Sequence, residues 1–353
     1  MNILFLAIAF IFALFMGLYW GLDKPKPMLW KITSIVILAA ASILTLAPPI
    51  SGFFIDARDL ADLNDFKNVE IYMKVIPNSQ LFENGVWKLK AQEAPRYHFS
   101  KVSPNIKTYQ LSYSNSLLAN ELKSDNPLVI KAIYNAKNDI YEIQSIISEA
   151  PLLTYPFLPA LQQRIKILNF HVPMSWTASL AYIISMVFSV QYLRKKNLVS
   201  DIKASSSAFL GLIFTLMATS TGMIWAKFNW GAFWNWDPRQ TSIFILLLIY
   251  FAYFALRSSI TDIQLKAKLS AVYSIISCVV MPFLIFIVPR MFVGLHPGAK
   301  SDGTSGPVIS TQKGMLDSSL ALTYYISLAG FIILFFWLLN LHIRTQKLKM
   351  ELE

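Results

Sequence analysis

The sequence predicts an all-α polytopic membrane protein of about seven transmembrane helices, with an extracytoplasmic, mostly β domain inserted near its start. Three observations predict it. Of the 353 residues 55% are hydrophobic and only 14% charged, and several apolar runs reach or approach the roughly 20 residues that carry a helix across a bilayer. Residues 51–165 break that pattern with short β-prone runs separated by turn signals. The short connections between the apolar runs alternate in charge, as the loops of a chain threaded back and forth through a membrane do.

The elements follow in order. Residues 3–22 form the first apolar run. A cleaved signal peptide calls for a basic start and small residues at the cleavage site. Met1-Asn2 brings no such charge and the stretch Leu18 to Leu22 is bulky, so an uncleaved span is expected. Lys24, Lys26 and Lys31 follow, and a second span covers 29–50. Within 51–165 the runs Val69–Ile76, Thr108–Tyr113, Leu128–Tyr134 and Ile140–Ile146 read as strands, broken by Pro77-Asn78, Pro104-Asn105 and the turn from Asn135 to Asp139. The last two runs read as a hairpin. His98, the one histidine of this domain, lacks a Cys, His or acidic partner at metal-ligand spacing and is expected to be structural. Spans resume at about 172–193, 207–225, 241–256, 269–289 and 319–341.

The net charge of +11 raises the question of nucleic acid, and its distribution answers it. Residues 51–165 hold twelve basic and twelve acidic residues, so the excess lies among the membrane segments and their loops. Thirteen basic residues fall on one side: Lys24, Lys26, Lys31, Arg194, Lys195, Lys196, Lys203, Arg257, Lys266, Lys268, Arg344, Lys347 and Lys349. Six fall on the other: Lys166, Lys227, Arg239, Arg290, Lys300 and Lys313. The richer side is expected to be cytoplasmic. Seven spans then place the N-terminus outside and the C-terminus inside, with the β domain and the 290–318 loop outside and 343–353 as a cytoplasmic tail. One cysteine, Cys278, excludes an internal disulfide and a Cys-x-x-Cys-His attachment site, and it reads as a small apolar packing residue.

The stretch from Trp225 to Arg239 carries the chemistry. Four of nine tryptophans, Trp225, Trp230, Trp234 and Trp236, fall within twelve residues, together with Phe228, Phe233, Lys227, Asp237 and Arg239. An aromatic belt accounts for one or two aromatics at a helix end. Four indoles with two cations beside apolar walls make a shelf for a large planar anion, for which porphyrin with its propionates is the natural candidate. Arg239 and Lys227 suit propionates through charge-assisted hydrogen bonds, with Arg290 as a further candidate; each otherwise marks the headgroup level. Asp237 is costly beside a span unless paired, and it offers three partners: Arg239, a tryptophan N–H, or the amides of a helix starting at Pro238. Of the four histidines, His171 and His296 fall at the outer face on either side of this shelf, whereas His342 falls at the inner end of the last span. Either histidine alone reads as an interfacial residue bonded to backbone or water. Their shared depth with the tryptophans makes them candidate axial ligands of a haem iron.

At these residues the chain resembles the haem-handling protein family whose signature is a tryptophan-rich WWD segment flanked by outward-facing histidines. Trp230-Gly-Ala-Phe-Trp234-Asn-Trp236-Asp237 carries the signature, set here in a segment 225–240. Within that family it is most similar to CcmC, the cytochrome c maturation component that presents haem to the chaperone CcmE. Phe170-His171-Val172-Pro173 with Trp176, then Asp237-Pro238-Arg239-Gln240-Thr241-Ser242, then Leu295-His296 carry the similarity. The resemblance covers about 155–342 and the span at 29–50, six spans in all. It implies His171 and His296 as the axial ligands, the tryptophan segment as the platform, haem b held transiently and non-covalently, a CcmE-like acceptor together with other maturation membrane proteins, and the bacterial inner membrane. Residues 1–28, as an extra span, and the β domain over 51–154 are additions to that plan. The tryptophan pair usual before the second histidine is missing from Met291–Leu295.

Three function classes follow. The first is a binding protein that delivers haem to a periplasmic acceptor. The second is a CcsA-like subunit of a synthase that itself attaches haem to apocytochrome. The third is a transporter with an ordinary belt and no haem. No nucleophile or acid–base pair stands out, which favours the first over an enzyme.

Overall fold

The computed structural model describes residues 3–52, 68–94, 108–114, 118–123, 125–135, 138–156, 161–296 and 318–352. The chain divides into two compact units, Met1–Thr45 with Lys166–Leu316 and Leu322–Glu353, and Leu46–Ile165 with Asp317–Ala321. His98, the turn signal at Pro104-Asn105 and most of the 290–318 loop lie outside the described residues.

The first unit is helical: α1 (Ile3–Leu18), α2 (Met28–Leu46), α4 (Leu168–Lys195), α5 (Leu198–Trp230), α6 (Pro238–Ser259), α7 (Ile263–Pro282), α8 (Val288–Met291) and α9 (Ser318–Leu352). Six of its helical segments are long and apolar enough to cross a membrane: Met28–Leu46, Gln163–Lys195, Leu198–Trp230, Pro238–Ser259, Ile263–Met291 and Ser319–Leu352. The chain is thus a multi-pass membrane protein. The expected seventh span corresponds to α1, whose 16 residues reach only about 24 Å at ~1.5 Å per residue, short of a ~30 Å hydrocarbon core.

The turn between α1 and α2 shows how a lysine is buried at low cost. Lys26 is 4% exposed, yet its ammonium donates to the carbonyls of Gly17 at 2.8 Å and Gly21 at 3.0 Å, the free acceptors left at the end of α1. Trp30 Nε1 donates to Met16 O at 2.7 Å, and the amide of Asn340 on α9 donates to Leu22 O at 2.7 Å and Lys24 O at 2.8 Å. Three elements are tied at one end by polar side chains.

α4 and α5 approach closely because small residues face each other. A Cβ at Gly211 would lie 2.5 Å from the Tyr182 ring, so only glycine lets that phenol lie across α5. Ser207 donates to Ala181 O at 2.8 Å and Ser185 to Ala204 O at 2.9 Å. Asn197 caps α5 through the Val199 amide at 2.9 Å, and Gly231, at φ 85°, ends it in the left-handed region. Near the start of α5, Asp201 takes Arg257 of α6 in a bidentate pair at 2.7 and 2.8 Å. After Pro282 the seventh helix runs into a π turn, Phe283–Ile287, before α8.

The second unit is a sheet closed on itself. Its strands are β1 (Ile50–Ser51), β2 (Asn68–Val75), β3 (Leu81–Glu83), β4 (Val86–Glu93), β5 (Thr108–Tyr113), β6 (Leu128–Asn135), β7 (Ile140–Glu149) and β8 (Tyr155–Pro156), with a short helix α3 (Leu118–Glu121). The order β2-β6-β7-β5-β4, with β4 pairing back to β2, closes a five-stranded barrel in which β5 and β7 are parallel and the other neighbours antiparallel. That is the strand order of an OB barrel, a fold that by itself assigns no ligand. The four expected strands are present, and the last two do form an antiparallel hairpin. Four strands went unpredicted: the two-residue β1 and β8, which pair in parallel, and β3 and β4, which pair across Asn84-Gly85, both at positive φ (51° and 78°), the two-residue primed turn that Asn-Gly favours. Ile71, Met73, Leu89, Leu111 and Ile130 fill the barrel.

Candidate functional site

The segment 225–240 is not one loop. Trp225, Lys227 and Trp230 belong to the last turns of α5, residues 231–237 form the connection, and Arg239 lies in the first turn of α6. Trp236 holds φ 53°, a strained conformation for a bulky residue that costs on the order of 1–3 kcal/mol. The turn leaves the Trp236 indole 69% exposed and the adjacent Asp237 4% exposed. Gln240 supports the connection, accepting from the Asn235 amide at 2.9 Å and donating to Phe233 O at 3.3 Å.

α4, α5, α6 and the π turn with α8 line a half-open cavity of about 240 Å³. His171, His296, Trp225, Trp234, Arg239 and Arg290 all line it. From His171 it follows α4 to Tyr182, about 16 Å at ~1.5 Å per residue. Its floor is the Tyr182 hydroxyl, which donates to Thr215 Oγ1 at 2.8 Å because the Thr215 hydroxyl itself donates to Gly211 O.

The two imidazoles are prepared alike. His171 Nδ1 lies 2.9 Å from Ala218 O; a carbonyl only accepts, so Nδ1 carries the proton. His296 Nδ1 lies 2.8 Å from Asp237 Oδ1. Burial raises the Asp237 pKa, but the hydrogen bond and charge of His296 and the amides of Leu295 and Arg239 outweigh it and hold the carboxyl well below its usual range. Burial also lowers the His296 pKa, more than Asp237 restores it. An ionised carboxylate only accepts, so His296 Nδ1 carries a proton as His171 Nδ1 does. In both rings the Nε2 lone pair is left for a metal, the arrangement that carbonyl and carboxylate partners impose on metal-binding histidines.

The other expected residues divide. Trp230 meets the His296 ring edge-on at 4.6 Å. Trp234 lines the cavity and meets Trp236 at right angles, centroids 5.8 Å apart, but Trp236 itself lies off the lining. Lys227 also lies off it; its ammonium donates to Gly231 O at 3.0 Å and sits over the Phe233 ring. Asp237 caps α6 through the Arg239 amide at 2.9 Å. Arg239 Nε is buried without a hydrogen-bond partner, while Arg290 donates to Phe286 O. Two guanidiniums in one apolar cavity, one with an orphaned donor, suit an anion. Among the described residues no group of three or more His, Cys, Asp and Glu side chains stands at metal-binding distance, and the imidazoles that line the cavity are those of His171 and His296.

Sequence reasoning missed Gly222, where a Cβ would lie 2.9 Å from His171 Cε1. It also left Ser175, Ser179 and Tyr182 out of the lining, although their spacing puts them with His171 on one face of α4.

A multi-pass helical bundle with two histidines and two arginines lining one largely apolar cavity defines the class of protein, a membrane protein with a polar-lined pocket among its helices. The CcmC family, heme exporter protein C, matches residues 152–353, and the chain belongs to it. It is 32% identical to heme exporter protein C of Paracoccus denitrificans over 186 residues, 52% of this chain and 73% of that protein. A putative cytochrome c biosynthesis ccmC-like mitochondrial protein of Marchantia polymorpha is 34% identical over 123 residues, 35% of this chain and 51% of that one. Cytochrome c biogenesis protein CcsA of Fagopyrum esculentum subsp. ancestrale is 36% identical over 87 residues, 25% of this chain and 26% of that one. The family match begins after the barrel and takes in five of the six span-length segments; α2, expected within the family core, precedes it.

Proposed function

We propose that this protein binds haem b non-covalently between His171 and His296 at the outer face of the bacterial inner membrane and delivers it to a CcmE-like chaperone during cytochrome c maturation, alongside other maturation membrane proteins. Membership of the heme exporter protein C family supports the maturation role. The observation that carries the site is the pair of imidazoles lining one cavity, each with Nδ1 tied and Nε2 free. Haem is cargo here, and the chain's part is to position it. Trp225 and Trp234 offer ring faces, Arg239 and Arg290 meet propionates, and the apolar walls exclude water from the iron. The distribution of basic residues, thirteen against six, supports an outward-facing site, a cytoplasmic C-terminus and an outer barrel; an N-terminus outside further requires α1 to cross. The domain plan proposed with it is an extra span over 1–28, a first core span over 29–50, a β domain over 51–154 inserted there, the rest of the haem-handling core over 155–342 and a tail over 343–353.

The test is reconstitution of purified protein with haem. Wild type is expected to give a low-spin, six-coordinate bis-imidazole spectrum. His171→Gly and His296→Gly are each expected to keep some haem, shift toward high spin and recover with added imidazole. No Soret band in wild type returns the tryptophans to an aromatic belt. The similarity to CcsA gives the second reading a definite outcome: thioether attachment of haem to an apocytochrome peptide by this protein alone would make it a synthase subunit.

A further inference from the structure

The two histidines are anchored by different means. His171 sits in the first turn of α4, bonded to α5 and pressed against Gly222, so withdrawing it means displacing a helix. His296 rides on residues 292–296, which form neither helix nor strand, and Phe292, Val293 and Leu295 there are each more than half exposed. Two hydrogen bonds from this arm converge on one side chain. The Leu295 amide donates to Asp237 Oδ2 at 2.6 Å and His296 Nδ1 to Oδ1 at 2.8 Å. The helix cap needs neither, since the Arg239 amide alone fills that role on Oδ1.

We infer that Asp237 is the positioning residue that latches the His296 arm, and that His296 is the axial ligand surrendered when haem leaves, while His171 keeps its place. The inference rests on the haem-binding reading and adds an order to it. Opening the latch breaks two hydrogen bonds to a buried carboxylate and moves a segment that belongs to no helix, whereas moving the His171 backbone would shift α4 against α5. A carboxylate partner also increases the basicity of the imidazole it holds. The same side chain that places His296 therefore strengthens its hold on iron, and breaking one contact weakens both.

Asp237→Asn and Asp237→Ser separate the latch from the cap. Either side chain still offers an oxygen to the Arg239 amide, but Asn brings an NH₂ toward Leu295 N–H, and Ser is too short to reach it. In full-length haem-loaded protein, cyanide is expected to displace the axial ligand about tenfold faster in both variants than in wild type, with a higher haem midpoint potential. A second readout needs no haem: a nitroxide on Leu295→Cys, with Cys278 buried, is expected to gain mobility when Asp237 is replaced. Wild-type cyanide rates and wild-type nitroxide mobility in both variants, with the bis-imidazole spectrum intact, would overturn the latch and leave the haem site standing. Failure of wild type to take up haem would instead overturn the site, and the nitroxide would still decide whether the arm is latched.

Discussion

Gly222→Ala tests the geometry of His171 with the smallest possible change. The added methyl would sit 2.9 Å from Cε1, 3.4 Å from Nδ1 and 3.7 Å from Nε2. Ordinary carbon contacts lie at about 3.5–4.0 Å, so the ring must yield by at least ~0.6 Å. It cannot do so and keep its 2.9 Å hydrogen bond to Ala218 O. Overpacking costs about 1–3 kcal/mol, while replacing a helical glycine by alanine returns about 0.5–1 kcal/mol. Fold stability should therefore fall by about 0–2.5 kcal/mol. Haem affinity should not follow it, because losing the partner that orients a ligating imidazole typically costs 10–100-fold. The assay pairs a haem titration with thermal unfolding of the apo protein in detergent. Affinity is expected to fall by about tenfold or more while the apo protein still unfolds cooperatively, at a temperature lowered by no more than that loss of stability accounts for. Wild-type affinity and spectrum would show that His171 is not held against α5 as described.

Trp234→Ala is expected to lower haem occupancy, by about 1–3 kcal/mol for the loss of an aromatic face, as measured by titration. Trp236→Ala should cost less, because Trp236 lies off the cavity and is 69% exposed; an equal or larger loss would place haem outside the cavity. Asp201→Asn strands the Arg257 guanidinium, now held at 2.7 and 2.8 Å in a mostly buried pair, and should destabilise the bundle by about 3–5 kcal/mol in denaturant unfolding. Adding Arg257→Met should recover part of that loss, and no recovery would mean the pair is not coupled. Cysteines placed at Ser116 and Ser200 are expected to label from opposite faces of sealed vesicles, and labelling from one face would sink the orientation drawn from the loop charges.

Helices and strands were legible wherever one period dominated. The apolar runs located α2, α4, α5, α6, α7 and α9, but several ended too early. The run 207–225, for example, is part of Leu198–Trp230. A run of hydropathy stops at the first charge, whereas a helix continues until a cap stops it: Asn197 opens α5 by accepting from Val199 N, and Gly231 closes it at φ 85°. The strand omission has the opposite cause. Val86–Glu93 carries Lys88, Lys90 and Glu93 and is too polar to stand out by composition. Its evidence was the Asn84-Gly85 turn beside it. Barrel closure lay beyond reading, because the β4–β2 pairing joins Val75 to Ala91 through register, which short strands do not encode locally.

The site was legible as a set of residue types and not as an arrangement. Each tryptophan, arginine or histidine is ordinary at a membrane face taken singly, and only their coincidence in one stretch and at one depth pointed to a planar anion. What the sequence could not say was which members face inward, since that depends on a single backbone conformation. Trp236 at φ 53° turns its indole out and passes the chain into Asp237, whose carboxylate then lies where Leu295 N and His296 Nδ1 reach it. A different dihedral at that residue would expose the carboxylate, free the arm and leave His296 without a fixed tautomer. The strained conformation of one tryptophan thus sets the carboxylate that holds the His296 imidazole. It also explains why Asp237 resisted assignment from sequence: two of its three partners lie some sixty residues away, on an arm whose proximity no local pattern encodes.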